Sequence, residues 1–375
     1  MGTATTTISA CQALTAAGSY VLNSDLAPTG TGQCLRLVGV AAVQLDCRGH
    51  AVSGVLLSSA NTVTISNCSV TSGMAAGGYY FPLEVIGGNT VTVTNCNVTT
   101  AVGSGIVLQN GTNNQVLQST ITGGYDGGST DVGADDGIVL EYETGDTIQG
   151  NTISNVYDAG IEGADTVANT TLASNTITNV GAAGIGTYWC TSWTNNMIRL
   201  NNVSRAPVMF DATYSNDPGK CGPSGPAANF TGNSFIGNRV RSPAQGTFPS
   251  IFSQGMYVFL SAGTPVSGNL IQGNDFGTQE CPTLSPPQGF IDGGGNICAA
   301  SAGLASAGLR RGRKALPGRV EGSWGRPDGR ELQVSNVLAL IGDFATRAGL
   351  KSAILRLTGE NHAICRVLRP RAASC

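Results

Sequence analysis

Ten of the eighteen carboxylates in the first 300 residues fall between positions 126 and 165, and four of them, Asp135, Asp136, Asp158 and Glu162, have the spacing of paired acids. Carboxylates held about one strand spacing apart repel, so one pKa rises and the pair keeps a proton for general acid catalysis. A separation of about 5 Å suits retaining glycoside hydrolysis. A wider pair, for which Asp136 with Glu162 is the candidate, suits inversion. Asp131, Asp135 and Asp158 also offer the oxygen ligands that calcium takes. The plain alternative is an acidic face that only keeps the protein in solution. Tyr80, Tyr125, Glu141, Tyr188 and Trp189 surround this cluster in the sequence. Rings beside acids are the equipment for holding a sugar chain, because ring faces stack on apolar sugar faces while acids bind hydroxyls. Rings that merely cover loop backbone are the competing reading.

The spacing of the acids follows from a repeat. Apolar residues at Val55, Leu83, Ile106, Ile138, Ile161 and Ile185 are followed by a second column at Val70, Val98, Ile121, Ile153, Ile177 and Ile198, at offsets of 15, 15, 15, 15, 16 and 13. Ile65, Val93, Val116, Ile148 and Leu172 form a third column between them. No helical period intervenes, so successive turns must stack as parallel strands at about 4.8 Å, which predicts an all-β, single-stranded parallel β-helix. Two coils exceed the basic length, and the extra residues leave at one corner, after Val70 and after Ile121.

Alternation then places the residues beside the inward columns on the outer face. Asp135 and Asp158, three before the first column, stack on successive coils. Glu84, Val107, Val139 and Glu162 follow it by one, while Gln109, Glu141, Ala164 and Tyr188 follow it by three. Two before the second column stand Cys68, Cys96, Ser119, Asn151, Asn175 and Asn196, an inward ladder whose amides satisfy backbone groups where the chain bends. Stacked thiols or a disulfide are the expectation for Cys68 and Cys96, since no histidine stands near to complete a metal site.

Composition fits this reading. Of 375 residues 53 are Gly and 11% are charged, which favours short strands and tight turns. Residues 1–300 carry seven basic and eighteen acidic side chains, net −11, which argues against nucleic acid as a partner of the solenoid. Nine cysteines precede residue 299, pointing to an oxidising, extracellular or periplasmic setting. The pairings suggested are Cys11–Cys34, Cys190–Cys221 and Cys281–Cys298. The first residues lack the pattern of a signal peptide, and no run has the length of a transmembrane segment. Three regions are expected: a cap and entry coil over 1–34, the solenoid over 35–298, and an Arg-rich segment over 299–375. The last reads as a linker with an amphipathic helix around Asn336 to Leu357, or as sequence with no selected fold.

The GIVL runs at Gly105 and Gly137, looser forms at Gly160 and Gly184, and the NTI and NMI runs at Asn151, Asn175 and Asn196 resemble the right-handed parallel β-helix superfamily of pectate-lyase-like proteins, including the NosD-like repeat group. That resemblance implies a right-handed solenoid over about residues 9–298. Polygalacturonase-like members suggest paired aspartates, to which ADDGI at Ala134–Ile138 is similar, but their Gly-His-Gly and Arg-x-Lys elements are missing. Pectate lyases imply an arginine base beside calcium, with Arg205 and Arg241 as candidates. Copper handling of the NosD type would want clustered ligands, yet Met74, Met197, Met209 and Met256 are scattered. The leading expectation is an exported β-helix that binds a polysaccharide or glycoconjugate and cleaves it by glycoside hydrolysis at Asp135, Asp136, Asp158 and Glu162. A non-catalytic adhesive or structural solenoid with a calcium-binding acidic face is the second reading, and a calcium-dependent lyase the third.

Overall fold

The computed structural model describes residues 5–27, 32–71, 81–100, 103–127, 135–213, 228–242, 254–260 and 263–299, together with the short strands Met74–Ala75, Gly78–Tyr79, Ile354–Arg356 and Ile364–Arg366. The chain divides into two units, Met1–Leu309 and Arg310–Cys375. In the second, Ile354–Arg356 pairs antiparallel with Ile364–Arg366. That strand replaces the C-terminal end of the helix expected around Asn336 to Leu357, and the rest of that segment lies outside the described residues.

Among the described residues of the first unit, three parallel sheets of 12, 13 and 10 strands run the length of a β-helix. Each coil gives one strand to each sheet. In the 13-stranded sheet Ile106, Ile138, Ile161, Ile185 and Phe210 lie in register, every one fully buried. Fully burying such a side chain is worth roughly 1.5–3 kcal/mol. Beyond residue 200 the coils continue, and the bore is filled by rings: Phe210 packs against Trp193, Phe230 and Phe235, the last at 4.7 Å between centroids. The glycine of the GI runs has a steric cause. A Cβ at Gly137 would stand 2.4 Å from Ile153 Cγ2 and 2.5 Å from the Gly160 carbonyl oxygen, so only glycine lets the chain turn this corner so close to its neighbours.

Two ladders of polar side chains set the register between coils. In the first, Ser119 N–H donates to Asn151 Oδ1, Asn151 N–H to Asn175, Asn175 N–H to Asn201, Asn201 N–H to Asn238 and Asn238 N–H to Asn274, at 2.9–3.1 Å. Each buried amide also donates sideways, as Asn175 Nδ2 does to the Ile148 carbonyl at 2.9 Å. In the second ladder Asn114 N–H donates to Asp146 Oδ1, Thr170 N–H to Asn196 Oδ1, and Asn196 N–H to Asn233 Oδ1. This corrects the repeat at its last coil. Val203, not Ile198, pairs with Ile177, whereas Ile198 pairs with Leu172, and Asn196 belongs to the second ladder. The long strand Ala183–Thr194 shifts the sequence spacing there, so a 13-residue step lands on a different sheet.

Disulfides join Cys11 to Cys34, Cys47 to Cys68 and Cys281 to Cys298. Cys68 therefore does not pair with Cys96, which is a buried free thiol, and the suggested Cys190–Cys221 pair lies outside the described residues.

One rung of the second ladder departs from the rest. Asp146 stands where the next coil has Thr170 and the coils after it have asparagine, and Glu143 takes an inward position that Val167 and Trp193 occupy on the following coils. Glu143 accepts from Gly111 N–H at 2.7 Å and from Asn114 Nδ2 at 3.0 Å, and its proton bridges to Asp146. Burial first, then the Asp146 charge, push Glu143 up to about 9. The unfolded chain releases that proton near pH 4.5, so between these values the folded state holds the extra proton and stability falls as pH rises. In Asp146→Asn the new amide donates to Glu143 and completes the ladder. We expect a gain of about 1–2 kcal/mol at pH 8 and a smaller loss of Tm between pH 5 and 9, read by thermal melts. An unchanged slope would refute the shared proton. Asn175→Ala, which orphans the Asn151 N–H and the Ile148 carbonyl, is expected to cost about 2–4 kcal/mol in chemical denaturation.

Candidate functional site

The acidic site forms on the outer face of the 13-stranded sheet, where the chain enters it from the corner. Asp135 and Asp158 stack on successive coils, with Asp158 N–H donating to the Asp135 carbonyl at 2.7 Å; Asp135 is exposed and Asp158 half-buried. Asp136 turns in instead. It is 4% exposed, and its Oδ1 accepts from Ala159 N–H at 3.0 Å while its Oδ2 accepts from Ser104 Oγ at 3.2 Å. Asp136 also hydrogen-bonds Glu162 directly. The two are thus a close, proton-sharing pair and not the wide pair that the sequence suggested, because the corner at Gly137 folds Asp136 back toward the next coil.

Burial is the first cause that holds the Asp136 carboxyl far above the ordinary range, and the Glu162 charge is the second. Asp136 keeps its proton and donates it to Glu162. For Glu162, burial and the charges of Asp158, Asp135 and Glu141 outweigh that hydrogen bond and push it up to about 7. Glu162 is the member that reaches solvent, being half-buried in a strand whose inward neighbours are fully covered.

Register carries the site further along the axis. Glu162 pairs with Gly186, Gly186 with Asp211, and Asp211 with Tyr257, giving one outward column. Gly186 opens a notch in it. The Tyr188 ring folds back over that glycine, so that a Cβ there would lie 2.7 Å from Tyr188 Cε2. The Tyr188 hydroxyl is buried beside Asp211, with Asp158, Glu162 and Asp136 also near; burial first and these charges next hold its pKa well above 10. Asp211 is 1% exposed, and burial pushes it up to about 7 against the opposing effect of Tyr188. Asp211 was not among the residues read from the sequence, although continuing the column Glu84, Val107, Val139, Glu162 by two more coils reaches it.

The remaining candidates divide. Glu141 lies in the column of Gln109, Ala164 and Tyr188 and accepts from Gln109 Nε2 at 2.7 Å. Tyr125 is 4% exposed and packs edge-on against Tyr157, so it has no open ring face for a sugar. Tyr80, Asp131 and the side chain of Trp189 lie outside the described residues. Among the described residues no three acidic, histidine or cysteine side chains converge as a metal cluster. Arg241 pairs with Asp275 at 3.3 Å on the 10-stranded sheet, apart from the acidic column.

A family model described as a right handed beta helix region matches residues 53–217. Over that stretch the sequence has the pattern of a right-handed β-helix region, and the fold is that of a parallel β-helix. Among solved β-helices, it is similar to the Dettilon tailspike protein, with a TM-score of 0.54 and 15% identity over 79% of this chain and 61% of that one. This β-helix thus spans less than two thirds of the tailspike's length. It also aligns with pectate lyase Pel9A, at a TM-score of 0.45 and 12% identity over 77% of this chain and 73% of that one. An alginate lyase from Paenibacillus aligns at 0.41 and 14% identity over 75% and 89%. No curated protein matches the sequence.

The notch makes a direct expectation. In Gly186→Ala the new methyl must expel the Tyr188 ring, so one tyrosine that resists ionisation in the wild type should titrate near pH 10. Phenolate absorbance, with Tyr188→Phe as the blank, checks this. An unchanged titration would contradict the packing of Tyr188 over Gly186.

Proposed function

We propose that this β-helix is a glycan-cleaving protein in which Glu162, backed by the proton of Asp136, acts as general acid on a glycosidic bond lying along the outer face of the 13-stranded sheet. The observation that carries the reading is the pairing of Asp136 with Glu162 where one carboxyl is sealed in and the other meets solvent, so that burial raises both above the ordinary range. A carboxylic acid that stays protonated near neutral pH is the group glycosidic cleavage needs at the leaving oxygen. Asp136 cannot reach a substrate; it positions Glu162 and replenishes its proton.

Asp211 supplies the second carboxyl. It lies two rungs from Glu162, roughly 9–10 Å along the sheet, the wider separation used by inverting enzymes; at 1% exposure it meets a water only when the Tyr188 ring beside it swings aside. The Gly186 position between them is covered by the Tyr188 ring, whose hydroxyl stands beside Asp211. Lysis with an arginine base has less support, because Arg241 is engaged by Asp275 on another sheet. Three disulfides suit an oxidising compartment, so we place the activity outside the cytosol. No helix among the described residues is long and apolar enough to cross a membrane.

Reducing-end release and ultraviolet absorbance over neutral and acidic polysaccharides, with and without calcium, test this reading. We expect reducing ends without an unsaturated product and without a calcium requirement. Glu162→Gln should lower kcat at least ~100-fold with Tm little changed. Because Glu162 must be protonated, the rate should fall as pH rises through about 7. An ultraviolet-absorbing product would favour the lyase, and no turnover on any substrate would favour a binding solenoid.

A further inference from the structure

Beyond Asp211 the same outward column changes character. Tyr257 pairs in register with Asp211, and Phe259, two residues on, shares its face of the strand Met256–Phe259. Their rings stand 6.5 Å apart between centroids and only 10° from parallel. Phe259 is 55% exposed, while Met256 and Val258 on the opposite face of the strand are fully buried. A large aromatic side chain held in the open costs hydrophobic free energy, and two held parallel at the end of an acidic column, one of them largely exposed, form an aromatic platform. Charge narrows what can lie on it. From Val139 through Glu162, Gly186, Asp211 and Tyr257 to Thr283 the column has no lysine or arginine, and Asp135 and Asp158 add acid at its side. A polyanion laid there would meet several carboxylates and no described cation, whereas a neutral sugar meets ring faces and hydroxyl acceptors.

We infer that Tyr257 and Phe259 form a stacking subsite for an uncharged pyranose, and that the protein's substrate is a neutral glycan lying along the solenoid axis from Glu162 past Asp211 to this platform. The span is three rungs, roughly 14 Å, room for a short run of sugar units and too long for a monosaccharide alone. This rests on the reading of the acidic site given above, but its residues are distinct, so the two fail separately. Uronic-acid polymers are excluded as preferred ligands by the same argument.

The test is calorimetric binding of defined hexasaccharides to the full-length Glu162→Gln protein, which removes turnover. The probes are cellohexaose, laminarihexaose, maltohexaose and mannohexaose on the neutral side, and hexagalacturonate and hexamannuronate on the acidic side. We expect at least one neutral hexamer to bind, neither acidic hexamer to bind, and Tyr257→Ala and Phe259→Ala each to weaken binding at least tenfold with an unchanged Tm. Phe259→Trp should keep the affinity, since it keeps a ring face. Preferred binding of an acidic hexamer, no neutral hexamer bound, or neutral binding indifferent to both alanine variants would overturn the inference. Glu162-dependent turnover with a silent platform would leave the catalytic reading standing and remove the subsite. Platform-dependent binding without any turnover in the wild type would do the reverse.

Discussion

Everything in this molecule hangs on the register between one coil and the next, and that register is held by buried amides. Each ladder asparagine in the first series follows a corner residue in the left-handed region, such as Gly150 before Asn151, Ser174 before Asn175 and Leu200 before Asn201. For residues other than glycine that conformation costs on the order of 1 kcal/mol, and it exposes inward-facing backbone groups that water cannot reach. The asparagine accepts from the N–H of the preceding coil's ladder residue and donates to a carbonyl, so the strained turn is stable only when coils are stacked. Slipping by one residue would leave every amide unsatisfied and turn every isoleucine outward. The stack therefore has one register, which is why a residue's place in the column predicts its neighbours.

Function follows from that rigidity. Glu162, Gly186, Asp211 and Tyr257 come from four coils and are far apart in sequence, yet the ladders place them in one straight column. The acidic site draws on burial as much as on charge. Asp136 is held neutral by its closure against Ala159 and Ser104, and Glu162 is held up to about 7 by its own burial and its acidic neighbours, against the hydrogen bond from Asp136. The same physics appears inside the bore at Glu143 and Asp146, where it has no access to solvent and acts only on stability. Two buried acid pairs in one solenoid thus have different consequences because one of them opens outward.

The repeat made much of this legible. Inward columns, the stacking of Asp135 over Asp158, and the column shared by Glu141 and Tyr188 all follow from counting residues, since parallel strands repeat with the coil. What counting missed had physical reasons. At Ile198 a long strand displaced the spacing, and only the hydrogen bonds of Asn196 and Asn201 reveal which ladder each joins. Asp136 and Glu162 have a sequence separation that suggests distance, but the bend at Gly137 brings them into contact. Tyr125 has the polarity of a loop residue and is nonetheless covered by Tyr157. Asp211 is reached by continuing the Glu162 column for two coils, whereas the Tyr257–Phe259 platform lies past the point where the steps between coils lengthen, so the period no longer points to it without the pairing of strands.

Carboxyl ¹³C NMR of protein labelled at its glutamates, followed from pH 4 to 9, tests the shared proton of Asp136 and Glu162 without needing a substrate. The account predicts one glutamate that titrates near pH 7 and disappears in Glu162→Gln, with its midpoint moved in Asp136→Asn. If Glu162 instead titrates with the ordinary exposed glutamates, it carries no proton at neutral pH and the acid on which the proposed chemistry depends does not exist.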